Sequence, residues 1–237
     1  MSGNSITAEL APTGVLRAAI NLGNPVLAQG DPEHPAGVTV DMARELAGRL
    51  GVPVSFACFD AARKSFEALT TGAADVGFLA IEPAREVEVA FTAPYVMIEG
   101  VYLARDDSPF VTAAEVDRPG VRIGVNRGSA YDLFLSRTLT DAQIVRGDDG
   151  IALFLEGDLD VAAGIRQPLA RVVARHGGLR ILEPRFMEIR QAVATPRPCS
   201  DAATAFLHET VEELKAGGFV AASLERSGQD ATVAPPG

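Results

Sequence analysis

Arg85 is the residue best placed for chemistry. It closes the run Ala73-Ala-Asp-Val-Gly-Phe-Leu-Ala-Ile-Glu-Pro-Ala-Arg85 and precedes the stop Phe91-Thr-Ala-Pro-Tyr95. An arginine just past the end of a buried parallel strand points into the crevice where open α/β sheets bind ligands, and its planar fork suits a carboxylate. The same spacing allows a surface arginine paired with Glu82 or Glu86. Spacing alone permits both. Cys58 and Cys199 lie far apart in no CxxC or Cys/His arrangement, which leaves packing residues or a single bridge. His34, His176 and His208 are equally scattered, so neither a metal site nor a cofactor site is expected.

Composition narrows the partners. Among 237 residues, 21 Lys plus Arg against 31 Asp plus Glu give a net charge of −10, which repels phosphate backbones and anionic lipid headgroups. Nucleic acid and membrane surfaces are poor candidate partners, and no nucleic acid is expected. No apolar run approaches the roughly 20 residues needed to span a bilayer, so membrane insertion is not expected. The start lacks the basic and apolar regions of an export signal, which implies a cytoplasmic chain unless a signal peptide has been removed. Apolar residues at 47% indicate a folded α/β protein.

The elements that must position Arg85 alternate along the chain. Strands are expected at 16–20, 52–56, 74–81, 121–125, 143–146, 159–163, 179–182 and 189–194, with a long extended stretch at 95–104. The strand at 74–81 is too apolar to be half-exposed and reads as part of a parallel sheet. Met42, Leu46 and Leu50 share one helical stripe, and Gly51 and Pro53 stop that helix. Further helices are expected at 65–71, at 130–138 and at 202–216, the last closed by Gly217-Gly218. Residues 21–37 read as a loop and the tail 231–237 as frayed. The βαβ pattern restarts after residue 104, implying two α/β units.

Several landmarks together resemble one family. Leu16-Arg17, Gly37 with Val40-Asp41, Gly72 with Ala74-Asp75, Arg85, Phe91-Thr92 with Pro94-Tyr95, and Gly124-Val125 with Gly128-Ser129 are similar to the family 3 bacterial extracellular solute-binding proteins over about residues 14 to 228. The resemblance implies the two-lobed type II periplasmic-binding-protein fold, each lobe a mostly parallel sheet flanked by helices, with ligand in the interlobe cleft. It implies lobe one at 1–97, lobe two at 98–188 and a return to lobe one at 189–237, with hinges near Met97 to Val101 and Glu188 to Ala192. It favours Arg85 as an anion anchor and adds Gly128-Ser129-Ala130, where free N–H groups and the helix dipole favour negative charge.

Other ligand positions carried over from the family depart from its usual residues. Asn21 and Asn24 stand where an aromatic or acidic side chain is usual, and Ala80 and Glu82 where a hydroxyl is usual. Ile165, followed by Arg166 and Gln167, stands where a carboxylate holds an α-ammonium. An ammonium buried without a carboxylate is costly, so the expected ligand is a small anionic metabolite lacking an α-amino group, with polar amino acids as the alternative. Arg166 either turns inward and attracts a second anionic group or turns outward as a solvated charge. The resemblance further implies a periplasmic location, an ABC permease as partner, a monomer and no catalysis. A cyclohexadienyl dehydratase-like enzyme, with Glu82 as its acid, and a cytoplasmic sensing module are the competing functions.

Overall fold

Alternating apolar strands and amphipathic helices give a mixed α/β structure in the computed structural model, which describes residues 3–237. Two compact units are present, Met1–Met97 with Arg190–Gly237 and Ile98–Ile189.

The first unit begins with α1 (Gly3–Leu10) and β1 (Leu16–Asn21), then a small hairpin of β2 (Gln29–Gly30) and β3 (Pro35–Ala36). It continues with α2 (Val38–Leu50), β4 (Val54–Phe59), α3 (Ala62–Thr70), β5 (Val76–Ala80) and the short α4 (Pro83–Glu86). β1 pairs in parallel with both β4 and β5. Every residue of β5 is buried, as a strand covered on both faces requires. Gly77 is what lets α3 sit on it, because a Cβ there would lie 2.9 Å from the Leu69 side chain. Ala19, Leu69, Leu79, Val89 and Ala194 form the core around this contact. On α2 the expected stripe of Met42, Leu46 and Leu50 is buried, and Gly51 ends the helix at φ 69°, a left-handed conformation open to glycine.

The long strand β6 (Val89–Arg105) leads into the second unit. There β7 (Arg122–Asn126), α5 (Ala130–Thr138), β8 (Gln143–Gly147), α6 (Gly150–Glu156), β9 (Val161–Ile165) and α7 (Arg166–His176) follow. β7 lies parallel to β8 and β9, and β9 pairs antiparallel with β6. Val101, Leu103, Phe154, Leu159 and Leu169 make the core. The chain returns along β10 (Leu179–Pro196), whose last part pairs antiparallel with β5, and finishes with α8 (Asp201–Ala216), α9 (Phe219–Arg226) and β11 (Thr232–Val233).

The structure differs from the sequence expectations in several places, and α1, α4 and α9 are helices that no expected segment covers. The strands expected at 179–182 and 189–194 are the two ends of β10. α6, with 7 residues, is too short for a periodic signal, and Pro168 in the first turn of the polar, half-exposed α7 hid that helix. The loop after β1 contains a hairpin and buries Val26, Leu27 and Ala28. The tail is not frayed, because Thr232 and Val233 pair with Met97 and Val96 of β6. Ala234 N–H donates to the Tyr95 carbonyl at 3.0 Å, and Lys215 Nζ ties the Pro94 and Pro235 carbonyls at 3.0 and 2.8 Å. No local pattern signals such pairing, since its partners lie more than a hundred residues away.

Deleting residues 231–237 removes the β11 ladder, the Ala234 bond and the Lys215 bond to Pro235. At ~1 kcal/mol each it should cost about 2–3 kcal/mol of stability, with faster amide exchange at Val96 and Met97. An unchanged melting temperature and unchanged exchange would show that the tail contributes nothing.

Candidate functional site

In the first unit β1 and β5 are parallel neighbours, so their carboxyl ends open on the same edge of the sheet. Asn21 ends β1 and Ala80 ends β5. Glu82 is the N-cap residue of α4, and its carbonyl accepts from the N–H groups of Arg85 at 2.8 Å and Glu86 at 3.2 Å. Pro83 at the first helical position presets the turn. Arg85 is thereby folded back on the strand end: it is 3% exposed, and its Nη1 donates to the Ala80 carbonyl at 3.0 Å. The surface-arginine alternative is excluded by that burial. Burial pulls the Arg85 guanidinium down to about 10, outweighing the attraction of Glu82, itself a buried residue. The asparagines shape the turn after β1. Asn21 Oδ1 accepts from Gly23 N–H at 3.0 Å, and the buried Asn24 Oδ1 accepts from Val26 N–H at 3.3 Å.

In the second unit the carboxyl ends of the parallel neighbours β7 and β9 carry the remaining candidates. Ser129 is the N-cap of α5, its Oγ accepting from Asp132 N–H at 3.1 Å. Gly128 differs from expectation. Its N–H donates to Asp132 Oδ2 at 2.8 Å, so an internal carboxylate takes the bond foreseen for a ligand. Ala130 opens the helix and is buried.

Ile165 ends β9, and Arg166 and Gln167 begin α7. Arg166 follows neither expected course. Its Nη1 and Nη2 donate to the two Glu183 carboxylate oxygens at 2.5 and 2.8 Å, and its Nε donates to Glu99. The hydrogen bond to Glu183 raises the Arg166 pKa, burial opposes this, and the bond to Glu99 adds to the rise. Its charge is committed within the unit.

Asp132, Arg146, Glu99 and Glu183 are charged residues that the sequence does not single out. Asp132 had a signal, since Ser129-Ala-Tyr-Asp132 matches a capping-box spacing. Glu99 and Glu183 had none, because they meet Arg166 from distant strands. Both cysteines are free thiols. Among the described residues no group of three His, Cys, Asp or Glu could hold a metal, and no helix is long and apolar enough to cross a membrane.

A mostly parallel sheet with flanking helices and polar or cationic residues at its strand ends is the fold of type II periplasmic binding proteins. The chain belongs to the bacterial extracellular solute-binding proteins, family 3, whose family model matches residues 16–228. A mutant of ArgBP from T. maritima is similar at TM-score 0.75 and 24% identity, over 93% of this chain and 98% of that one. The amino acid ABC transporter substrate-binding protein AbpA from Streptococcus pneumoniae, bound to L-arginine, is similar at TM-score 0.75 and 17% identity, over 92% and 96%. The cyclohexadienyl dehydratase of Pseudomonas aeruginosa is 30% identical over 129 residues, 50% of this chain and 46% of its own length.

The far end of α5 is pinned by Asp117, whose carboxylate accepts N–H bonds from Thr140, Asp141 and Ala142, each 2.9 Å. Burial alone would raise this carboxyl, but those donors and the Thr140 hydroxyl lower it from 3.8 to about 2. A depressed folded-state pKa contributes stability above the unfolded value that is lost as pH falls through the folded one. Stability should therefore decline between about pH 4 and pH 2, less steeply in Asp117→Asn. Parallel pH curves for the two proteins would remove Asp117 from this role.

Proposed function

We propose that this family member is a non-catalytic receptor for a small carboxylate without an α-amino group, and that it delivers the solute to an ABC permease. Arg85 carries the proposal. A guanidinium 3% exposed, whose burial outweighs the pull of Glu82, gains from an added anion, and it stands at the strand end where open α/β sheets take ligands. Ser129 and Ala130, at the start of α5, would supply further donors. Ile165 would deny an α-ammonium the carboxylate it needs on that side. Membership in a family of extracellular solute-binding proteins supports action outside the cytoplasm, where a monomer would meet its permease.

Amino acids are the second reading. The buried carboxylate of Glu82 favours it, as do neighbours whose descriptions name bound L-arginine and lysine. The partial likeness to cyclohexadienyl dehydratase makes release of phenylpyruvate from prephenate or arogenate a necessary control, in which a pure binder gives none.

Isothermal titration of pyruvate, succinate and glutarate against a panel of standard amino acids tests the assignment. At least one simple acid should bind. Arg85→Ala should weaken it by about 2–5 kcal/mol while circular dichroism stays native, and Arg85→Lys should fall between. Micromolar binding of an amino acid with no response to any simple acid would overturn the choice of ligand. Unchanged affinity in Arg85→Ala would overturn the anchor.

A further inference from the structure

Asp132 places a full negative charge where a solute anion would otherwise meet the start of α5. Its side chain is 4% exposed. One carboxylate oxygen accepts the Gly128 N–H at 2.8 Å and the other accepts Arg146 Nε at 2.8 Å, while the Ser136 hydroxyl donates to the Asp132 main-chain carbonyl at 2.6 Å and lies 3.2 Å from the carboxylate. Arg146 reaches across from β8, and its Nη2 donates to Ser136 Oγ at 2.6 Å. A buried carboxylate is tolerated when its lone pairs are bonded and its charge is answered, and here both conditions are met. The Ser129 N–H goes to the Asn126 carbonyl at 3.1 Å, and the Ser129 oxygen takes the Asp132 N–H. The Ser129 hydroxyl also hydrogen-bonds with the buried Tyr131 hydroxyl, so a solute would have to share it.

We propose, building on the carboxylate reading above, that Asp132 and Arg146 are a positioning pair for the anion-receiving turn. Asp132 fixes Gly128–Ala130 by taking the Gly128 N–H, and Arg146 cancels the charge this brings in. Ser129 and Ala130 thus remain attractive to an anion although a carboxylate is built in behind them. Neither member of the pair touches the solute. The cost of losing Arg146 is electrostatic: the charge of Asp132, left without its cation, repels the solute carboxylate, and salt entering the half-exposed place of Arg146 screens the repulsion.

Arg146→Ala, Asp132→Asn and the double variant are titrated with pyruvate, glutarate and L-arginine at 50 mM and 500 mM NaCl, and the Gly128 amide is followed by NMR. Arg146→Ala should bind the probe that wild type accepts at least tenfold more weakly in low salt, and no more than about threefold more weakly in high salt. Adding Asp132→Asn should restore affinity to within about threefold of wild type, a rescue that lost packing would not give. The Gly128 amide proton should lie downfield in wild type and move upfield in Asp132→Asn. A salt-independent loss without rescue, or full affinity in Arg146→Ala, would overturn the pairing, as would an unmoved Gly128 amide. If wild type binds none of the probes, the carboxylate reading falls by itself and the Gly128 amide alone decides the pair.

Discussion

Keeping a guanidinium out of water is the constraint that shapes the first unit. A buried cation needs its donors engaged and its position held, and Arg85 has both because β5 delivers its terminal carbonyl to the place where the side chain folds back. That carbonyl stays fixed only if β5 stays fixed. Packing of Leu69 over Gly77, parallel pairing with β1 and antiparallel pairing with β10 each hold it. The turn through Glu82 and Pro83 then sets the distance. Loosening any of these lets water reach the guanidinium, and an arginine in water has little reason to seek a solute's carboxylate.

In the second unit two arginines are paired from within, Arg146 by Asp132 and Arg166 by Glu99 and Glu183. Such pairs fix geometry, and at partial exposure they add little to stability. In a chain with a net charge of −10 such internal pairing keeps the arginines of this unit beside carboxylates of the same unit.

The parallel strands, the stripe on α2 and the capped α8 were legible in the sequence because each is encoded by residues within a turn or two of one another. Arg85 was legible for the same reason, its strand, turn and stop being contiguous. What escaped was non-local or brief: the ladder of β11 on β6, the 7-residue α6, and the carboxylates that claim Arg166. Gly128 shows a finer limit. Its position at a helix start was readable, but a backbone N–H has no sequence label stating which carboxylate reaches it first. Asp132 carried such a label in its spacing from Ser129, and only the physical cost of leaving that aspartate unpaired makes the label decisive.

The second unit interrupts the first, since residues 98–189 lie between the two stretches that make up the first sheet. During synthesis the edge of β5 must therefore wait for β10. At typical elongation rates the delay is on the order of 5–20 s, long compared with the folding of a small domain. Until then a fully apolar strand edge stands unpaired, the kind of surface that seeks other chains. Because the one strand β10 supplies the last strand of the second unit and, from Gln191 on, the partner of β5, both units close within the same short stretch of chain, and the open edge is shut in a single late event.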